Sequence, residues 1–211
     1  MAVSVYAIIN HPVTSNCYLI ANELNNSCII VDPGSEHPDA ITVEIDRRGL
    51  SPEYIFLTHE HFDHIWSVNK LRMLYSAPVI CSTVCSKRIS DSKTNLSLFY
   101  NQVGFVVDEA DLVAESIYNE FHWNDETIFF ISTPGHSAGS LCIRLDNHLF
   151  AGDTLMLGER TVTKLPSGSR SKLLSSINAL SDALVYPIVF HPGHGESFVL
   201  NDREQLLTLP V

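Results

Sequence analysis

Short runs of apolar residues recur along the chain, and most of them are rich in β-branched and aromatic side chains. Runs of about four to eight such residues between polar turns are typical of β-strands. The runs that predict strands are VSVYAII, CYLIA, SCIIVD, YIFLTH, PVICS, TIFFIST, LCIRL, HLFAGD and PIVFHPG. Turn-forming residues predict two hairpins, one at Asp146 and Asn147 and an earlier one at NELNNS before Cys28. We therefore expect the early part of the chain to be antiparallel.

Other segments place apolar residues at the three- and four-residue intervals of an amphipathic helix. Gly49, a residue type that often closes helices, ends the first segment, HPDAITVEIDRRG. The second is HIWSVNKLRMLY, with apolar positions at Ile65, Val68, Leu71 and Tyr75. The clearest stripe is in SRSKLLSSINALSDAL, at Leu173, Ile177, Leu180 and Leu184. Either a helix or an ordered loop fits the more polar segment SKRISDSKTNLSLFYNQVG.

The order of these elements predicts the fold class. Strands come first, helices separate the later strands, and the pattern roughly repeats in the second half of the chain. Such an order predicts sheets with helices on their outer faces, a layered α/β arrangement. We expect one domain over residues 1–211, because a chain of 211 residues with 45% hydrophobic composition can bury one sizeable core.

Composition limits the partners of the protein. Its formal net charge is −11, and binding to nucleic acid depends on basic side chains that displace counterions, so no nucleic-acid partner is expected. No basic leader with a cleavage site opens the chain, and no apolar run reaches the ~18 residues of a membrane span. The five cysteines form no C-x-x-C pair, which favours reduced, buried thiols. These features predict a soluble, cytoplasmic protein and leave its oligomeric state open.

The segment THEHFDH concentrates three histidines and two acidic residues in seven positions. If the preceding strand runs into a loop, His59 and His61 point to one side and can chelate one ion. Asp63 and His64 are offset from that pair, so they can serve a second ion nearby or cap the following helix. The alternative is a polar loop that binds no metal.

Three later residues weaken that alternative. His136, Asp153 and His194 each follow an apolar strand, in the glycine-containing turns PGH, AGD and PGH. Strand ends of one layered sheet converge on a common rim, so these side chains are expected near the motif. Five imidazoles and two carboxylates exceed what one tetrahedral ion binds and suit two neighbouring ions. The histidines interpreted as structural are His11, His37, His122, His148 and His191.

Together, THEHFDH, PGHSAGS, AGDT and GHG resemble, in this order, the motifs of the metallo-β-lactamase superfamily. The resemblance implies a four-layer αββα sandwich with two divalent metal ions at one edge of the central sheets. The implied ligands are His59, His61 and His136 for the first metal, Asp63, His64 and His194 for the second, and Asp153 as the bridge. Asp63 would also orient the hydroxide between the ions. Imidazole and carboxylate ligands favour zinc and also suit iron or manganese.

The aspartate at position 153 resembles the hydrolase branch that includes glyoxalase II, whereas zinc β-lactamases usually have a cysteine at the corresponding site. The resemblance therefore implies hydrolysis of a small thioester, such as hydroxyacylglutathione, and argues against antibiotic hydrolysis. Asp32, in IIVDPGS, also matches a family element. Its carboxylate either orients a ligating histidine or forms part of an Asp-Pro-Gly turn at the end of a strand.

Two features depart from glyoxalase II. Where that enzyme has a helical region that helps to hold glutathione, this chain has only FVLNDREQLLTLPV after Ser197. After the bridging aspartate, the loop TVTKLPSG has Val162 and Lys164 where relatives commonly have arginine and aspartate. Charges around this loop could bind an anionic substrate, but we interpret them as solvated surface groups. They are Arg160, Lys164, Arg170 and Lys172.

Other functions use the same ligands. A lactonase or phosphodiesterase would use the dinuclear centre on a different bond. A sulfur dioxygenase of this fold binds one iron through two histidines and a carboxylate, so the metal count separates it from a hydrolase. The acidic composition disfavours a nuclease, and the presence of all seven ligand types disfavours a non-catalytic scaffold.

Overall fold

The computed structural model describes residues 3–117 and 119–210, so positions 1, 2, 118 and 211 of the expected domain lie outside the described residues. The strands are β1 (Val3–Ile9), β2 (Asn16–Asn22), β3 (Ser27–Val31), β4 (Ser51–Phe56), β5 (Val79–Cys81), β6 (Leu112–Val113), β7 (Glu120–Trp123), β8 (Glu126–Ser132), β9 (Leu141–Leu145), β10 (His148–Gly152), β11 (Ile188–Pro192) and β12 (Phe198–Leu200). The helices are α1 (Asp39–Arg48), α2 (Phe62–Ile65), α3 (Val68–Tyr75), α4 (Thr83–Ile89), α5 (Ser97–Asn101), α6 (Arg170–Ala183) and α7 (Arg203–Leu207). None of the helices in the described part of the chain is long and apolar enough to cross a membrane.

The first sheet joins an antiparallel part to a parallel part. Its strands lie in the order β1-β2-β3-β4-β5-β6, antiparallel from β1 to β3 and parallel from β3 to β6. Every residue of β2 and β3 is buried, which explains their continuous apolar runs. Successive side chains still point to opposite faces: Leu19 and Ile30 join one apolar cluster, and Tyr18 and Ile29 join another.

The second sheet brings three strand ends to one edge. Its order is β12-β11-β10-β9-β8-β7, antiparallel except for the parallel pair β10 and β11. Because β8 and β10 are both antiparallel to β9, the strands β8, β10 and β11 run in the same direction. Their carboxyl ends therefore lie at the same edge, where ligands of open α/β sheets commonly bind.

Three apolar clusters separate four layers. The first packs Leu57 against Ile41 of α1 and Leu71 of α3. The second fills the space between the sheets, where the rings of Phe56 and Phe130 have centroids 5.2 Å apart. The third packs the second sheet against α6 and α7. The layers follow the order helix, sheet, sheet, helix, so the predicted four-layer α/β sandwich is confirmed.

Most of the predicted elements are present, with one correction. The hairpins β2–β3 and β9–β10 are formed, α1 ends at Gly49 with φ of 65°, and all five cysteines are buried and free. The helix predicted over HIWSVNKLRMLY is instead two helices, α2 and α3. The chain breaks there because the Ser67 amide donates to the Pro33 carbonyl at 3.0 Å, and its hydroxyl donates to the Ser35 carbonyl.

The segment that fitted a helix or a loop contains both. Ser82 caps α4 by accepting a hydrogen bond from the Cys85 amide. The side-chain amide of Asn95 donates to the carbonyls of Ile89 and Phe105, at 3.1 and 2.9 Å. These bonds fix the loop between α4 and α5 in place.

The sequence pattern does not predict β6, β7, β12 or α7. The three strands lie at sheet edges and have only two to four residues, too few to form a recognisable run of alternating or apolar positions. The helix has only five residues, too few to show a periodic stripe.

Replacement of Leu180 by alanine is expected to lower the free energy of unfolding by about 2–5 kcal/mol, because this side chain is fully buried beneath α6. Leu174 lies on the same helix and is 41% exposed, so Leu174→Ala should change the value by less than about 0.5 kcal/mol. Urea denaturation measures both. Equal losses in the two variants would contradict the packing of α6 on the second sheet.

Candidate metal centre

Four loops bring ligand-type side chains to one edge of the two sheets. The loop after β4 carries His59 and His61, and the turns after β8, β10 and β11 carry His136, Asp153 and His194. Since the last three strands run in the same direction, their turns open onto this edge. All seven predicted ligand positions lie there.

His59, His61 and His136 form the first cluster. Their ring centroids are 4.6 to 4.9 Å apart, and Nε2 of His136 lies 2.8 Å from Nδ1 of His61. All three side chains are buried. One nitrogen from each lies within 4.8 Å of the others, so a single ion could contact all three rings.

Asp63, His64 and His194 form the second cluster, and their ligand atoms also lie within 4.8 Å of one another. Oδ2 of Asp63 is 3.4 Å from Nε2 of His194 and 3.7 Å from Nε2 of His64. The side chain of His64 is fully buried, whereas that of His194 is 27% exposed. The centre therefore opens to solvent on the side of His194.

The carboxylate of Asp153 lies between the two clusters. Its Oδ1 is 3.4 Å from Nε2 of His64, and its Oδ2 is 3.4 Å from Nε2 of His136 and 3.6 Å from Nε2 of His194. A Cβ at Gly193 would overlap Oδ1 of Asp153 and the ring of His64. The turn that carries His194 can approach this closely only because glycine has no side chain.

In four of the five histidines, a hydrogen bond at Nδ1 fixes the ring so that Nε2 faces the centre. The Nδ1 partners are the Thr58 hydroxyl at 3.0 Å for His59, Asp32 at 3.1 Å for His64, the Val162 carbonyl at 2.8 Å for His136, and the Thr14 carbonyl at 2.9 Å for His194. Carbonyl and carboxylate oxygens only accept hydrogen bonds, so Nδ1 donates to them. In a neutral ring this leaves Nε2 unprotonated, the state in which it can bind a metal.

The carboxylate of Asp32 accepts hydrogen bonds from two residues of the THEHFDH motif, Thr58 and His64. Its Oδ1 accepts from the Thr58 amide at 2.8 Å, and its Oδ2 accepts from the Thr58 hydroxyl at 2.6 Å and from Nδ1 of His64 at 3.1 Å. The Thr58 hydroxyl, which donates to Asp32, is left to accept from His59. Of the two interpretations of Asp32, the structure supports orientation of a ligand-type histidine.

The electrostatics of the centre favour cations. Burial lowers the pKa of His59 well below its usual value and that of His61 to about 3, so both rings are neutral at pH 7. Burial opposes ionisation of Asp63 and Asp153, but the neighbouring histidines outweigh it and lower the pKa of both carboxyls. Burial likewise disfavours protonation of His64, yet these carboxylates raise its pKa. The negative charge of the two carboxylates therefore attracts cations into the site.

Buried atoms without partners show whether the residues fit a metal. Within residues 3–117 and 119–210, the buried side-chain atoms that have no hydrogen-bond partner include His59 Nε2, His64 Nε2 and Asp153 Oδ1. Leaving such an atom unpaired costs about 1–3 kcal/mol. All three are atoms of a type that binds metals and lie at the shared edge, and coordination of a metal ion would satisfy them. The donor set of imidazole and carboxylate fits divalent metal ions.

Glu60, an acidic residue of THEHFDH that is not among the implied ligands, is buried and connects the loops that carry His61 and His136. Its Oε1 accepts from Nε of Arg88 at 2.6 Å, and its Oε2 accepts from the Ser137 hydroxyl at 2.8 Å. Through Ser137, this carboxylate connects the loop of His61 to the loop of His136. Sequence reasoning missed the link because its partners lie far along the chain and carry no motif.

The residues interpreted as structural or solvated lie outside the clusters. His191 bonds through Nδ1 to the Ser197 hydroxyl and through Nε2 to Nδ1 of His148, both at 2.9 Å. Burial lowers the pKa of His191 to about 3. Four charged residues around the loop are exposed, as expected of surface groups: Arg160, Lys164, Arg170 and Lys172.

The family model for the metallo-beta-lactamase superfamily matches residues 11–195. The chain belongs to this superfamily. Among the similar proteins, the probable metallo-hydrolase YqgX of Bacillus subtilis is 31% identical over 201 residues, which cover 92% of each chain. The probable polyketide biosynthesis zinc-dependent hydrolase BaeB of Bacillus velezensis is 28% identical, over 87% of this chain and 75% of its own. The crystal structure of BLEG-1 B3 metallo-beta-lactamase matches with a TM-score of 0.86 and 29% identity, over 93% of this chain and 94% of that one.

Replacement of Asp32 by asparagine is expected to weaken zinc binding about 10- to 100-fold, because the hydrogen bond that orients His64 loses its charged acceptor. Asparagine tolerates the positive φ of 51° at this position, so the backbone should be preserved. Competition with a chelator measures the affinity. The exposed Asp125→Asn variant serves as control. Equal zinc affinities for Asp32→Asn and the control would contradict the orienting role.

Proposed function

We propose that this metallo-beta-lactamase superfamily protein is a metal-dependent hydrolase whose dinuclear centre cleaves a thioester of a small molecule. The main support is the position of Asp153, whose carboxylate oxygens lie within 3.6 Å of histidine nitrogens from both clusters. A carboxylate in this place can ligate two neighbouring ions at once. The names of two relatives, a probable metallo-hydrolase and a probable zinc-dependent hydrolase, support the reaction class.

The proposed ligand sets follow the two clusters. They are His59, His61 and His136 for one ion, Asp63, His64 and His194 for the other, and Asp153 for both. Zinc is the proposed metal, because these donors suit it and because one relative is named as zinc-dependent; iron and manganese also accept this set.

Bound at these positions, two divalent ions would lower the pKa of a shared water toward neutrality, so that hydroxide is available at pH 7. The protein's own contribution is to hold and aim this nucleophile. Asp63 is the proposed orienting residue, since its carboxylate is ionised and its Oδ2 lies 3.4 Å from His194, on the side of the centre open to solvent.

In the proposed reaction, the oxygen of water bonds to the acyl carbon and the carbon–sulfur bond breaks, giving a carboxylate and a thiol. A thiol has a pKa of about 8.5, so the sulfur can leave as a thiolate with little help from an acid. An amine or alcohol leaving group would need a proton. The formal net charge of −11 further supports a small-molecule substrate over nucleic acid.

β-Lactam hydrolysis is a second candidate, favoured by the similarity to BLEG-1. The aspartate at position 153 favours the thioester, by its resemblance to the glyoxalase II branch. One assay panel should therefore contain a thioester, a β-lactam, a lactone and a phosphodiester.

We expect zinc-restored protein to release thiol from at least one acyl-glutathione or acyl-CoA. His59→Ala should lower kcat/KM more than about 10²-fold, because it removes a buried ligand and not merely a residue that orients one. His122→Ala is the matched control, since that side chain is 73% exposed and lies outside both clusters.

Each contradictory result has a distinct meaning. Hydrolysis of the lactone, the phosphodiester or a chromogenic cephalosporin without any thiol release would reject the thioester and keep the hydrolase. Oxygen consumption by an iron-loaded protein would favour a sulfur dioxygenase instead. Full activity of His59→Ala would reject the site itself.

A further inference from the structure

An apolar groove of about 400 Å³ lies between segments of the chain that also carry candidate metal ligands. Its lining residues are Phe62, Leu96, Phe99, Tyr100, Leu165 and Pro166. They come from the metal-binding motif, from α5 with the residue before it, and from the loop that follows Asp153. Nothing in the activity proposed above accounts for this groove.

Both walls of the groove are attached to metal-ligand positions. Phe62 lies between His61 and Asp63 in the chain. On the other wall, Leu165 belongs to the same loop as Val162, whose carbonyl accepts the hydrogen bond from Nδ1 of His136. A molecule in the groove would therefore have one end beside the metal centre.

The first wall is preformed. The Phe62 amide donates to the Asn95 carbonyl at 2.8 Å, and the Phe62 ring stacks on Tyr100 with centroids 4.6 Å apart. The side-chain bonds of Asn95 hold this part of the chain in place. A fixed apolar wall can bind a ligand without first losing conformational entropy.

The apolar side chains of the groove are unusually exposed. Phe99 is 68% exposed, Tyr100 46% and Leu165 37%. A contiguous exposed apolar surface beside a reactive site is typical of a ligand-binding groove. A separate cavity that is lined by the candidate ligands Asp153 and His194 is more polar, with Thr14, Glu159 and Arg160 also in its lining. The two sides therefore suit different ends of one substrate, with the apolar end in the groove.

We propose that this groove binds the apolar acyl chain of the substrate, so that the enzyme prefers medium-chain acyl thioesters over acetyl thioesters. This inference rests on the proposed thioester hydrolysis. Each methylene placed in the groove leaves water, which is worth up to about a fourfold gain in kcat/KM.

The test is a chain-length series of neutral thioesters of N-acetylcysteamine, from acetyl to hexanoyl. In zinc-loaded wild-type protein, kcat/KM should rise about threefold per methylene, so that hexanoyl exceeds acetyl by about 10²-fold. Phe99→Ser and Leu165→Ser, on opposite walls, should each lower the hexanoyl-to-acetyl ratio about tenfold. Leu74→Ser is the matched control, because Leu74 is 60% exposed on α3 and does not line the groove. The control should keep the wild-type ratio.

A binding measurement tests the groove independently of turnover. Calorimetric titration of the carboxylates from acetate to hexanoate should show Kd falling about threefold per methylene in wild-type protein, and by less in Phe99→Ser. A Kd that does not change with chain length would overturn the groove proposal even if thioesters are hydrolysed. If no thiol is released but the Kd of the carboxylates falls with chain length, thioester hydrolysis is rejected and the groove remains a binding site for apolar chains. If sedimentation shows a dimer that is lost in Phe99→Ser, and neither kcat/KM nor Kd depends on chain length, the surface binds a second copy of the chain and the proposal is overturned.

Discussion

The carboxylates of Asp63, which is partly buried, and of Asp153, which is buried, are the constraint on which the site depends. Each stays ionised because histidines surround it, and Asp153 reaches nitrogens of both clusters. Placing two negative charges close together in a protein interior is still costly, and so are the partnerless nitrogens of His59 and His64. Divalent cations would remove both costs at once. The fold supplies the geometry by ending three parallel-running strands of one sheet, and β4 of the other, at a common edge.

Residues that touch no metal position fix that geometry. Asp32 accepts hydrogen bonds from Thr58 and His64, and so aligns the motif that follows β4. Glu60 connects the same loop to the turn of His136 through Ser137. The loop after Asp153 has two effects, since one of its carbonyls orients His136 and its apolar residues form a wall of the groove. The orientation of His136 and the proposed choice of acyl chain thus depend on the same loop.

The sequence predicts what is local and not what depends on distant contacts. The candidate ligand positions were predictable because four of them lie in the compact motif THEHFDH and the other three lie in glycine-containing turns after apolar runs. Helix α6 was predictable because its apolar stripe repeats over a long segment. The division of α2 from α3 depends on a bond between Ser67 and Pro33, which no periodicity encodes. The paired side chains of Glu60 and Arg88 are 28 residues apart in the chain, and the stacking of Phe62 on Tyr100 likewise joins distant segments. Both became visible only in the folded chain.

The central claim is that two ions share one carboxylate, and the metal stoichiometry tests it most directly. Zinc titration of metal-free wild-type protein, with elemental analysis of the product, should give two ions per chain. Asp153→Asn should lower the occupancy of both sites, because its amide binds metal more weakly than the carboxylate that reaches both clusters. One ion per wild-type chain, or two ions retained with unchanged affinity in Asp153→Asn, would contradict the account.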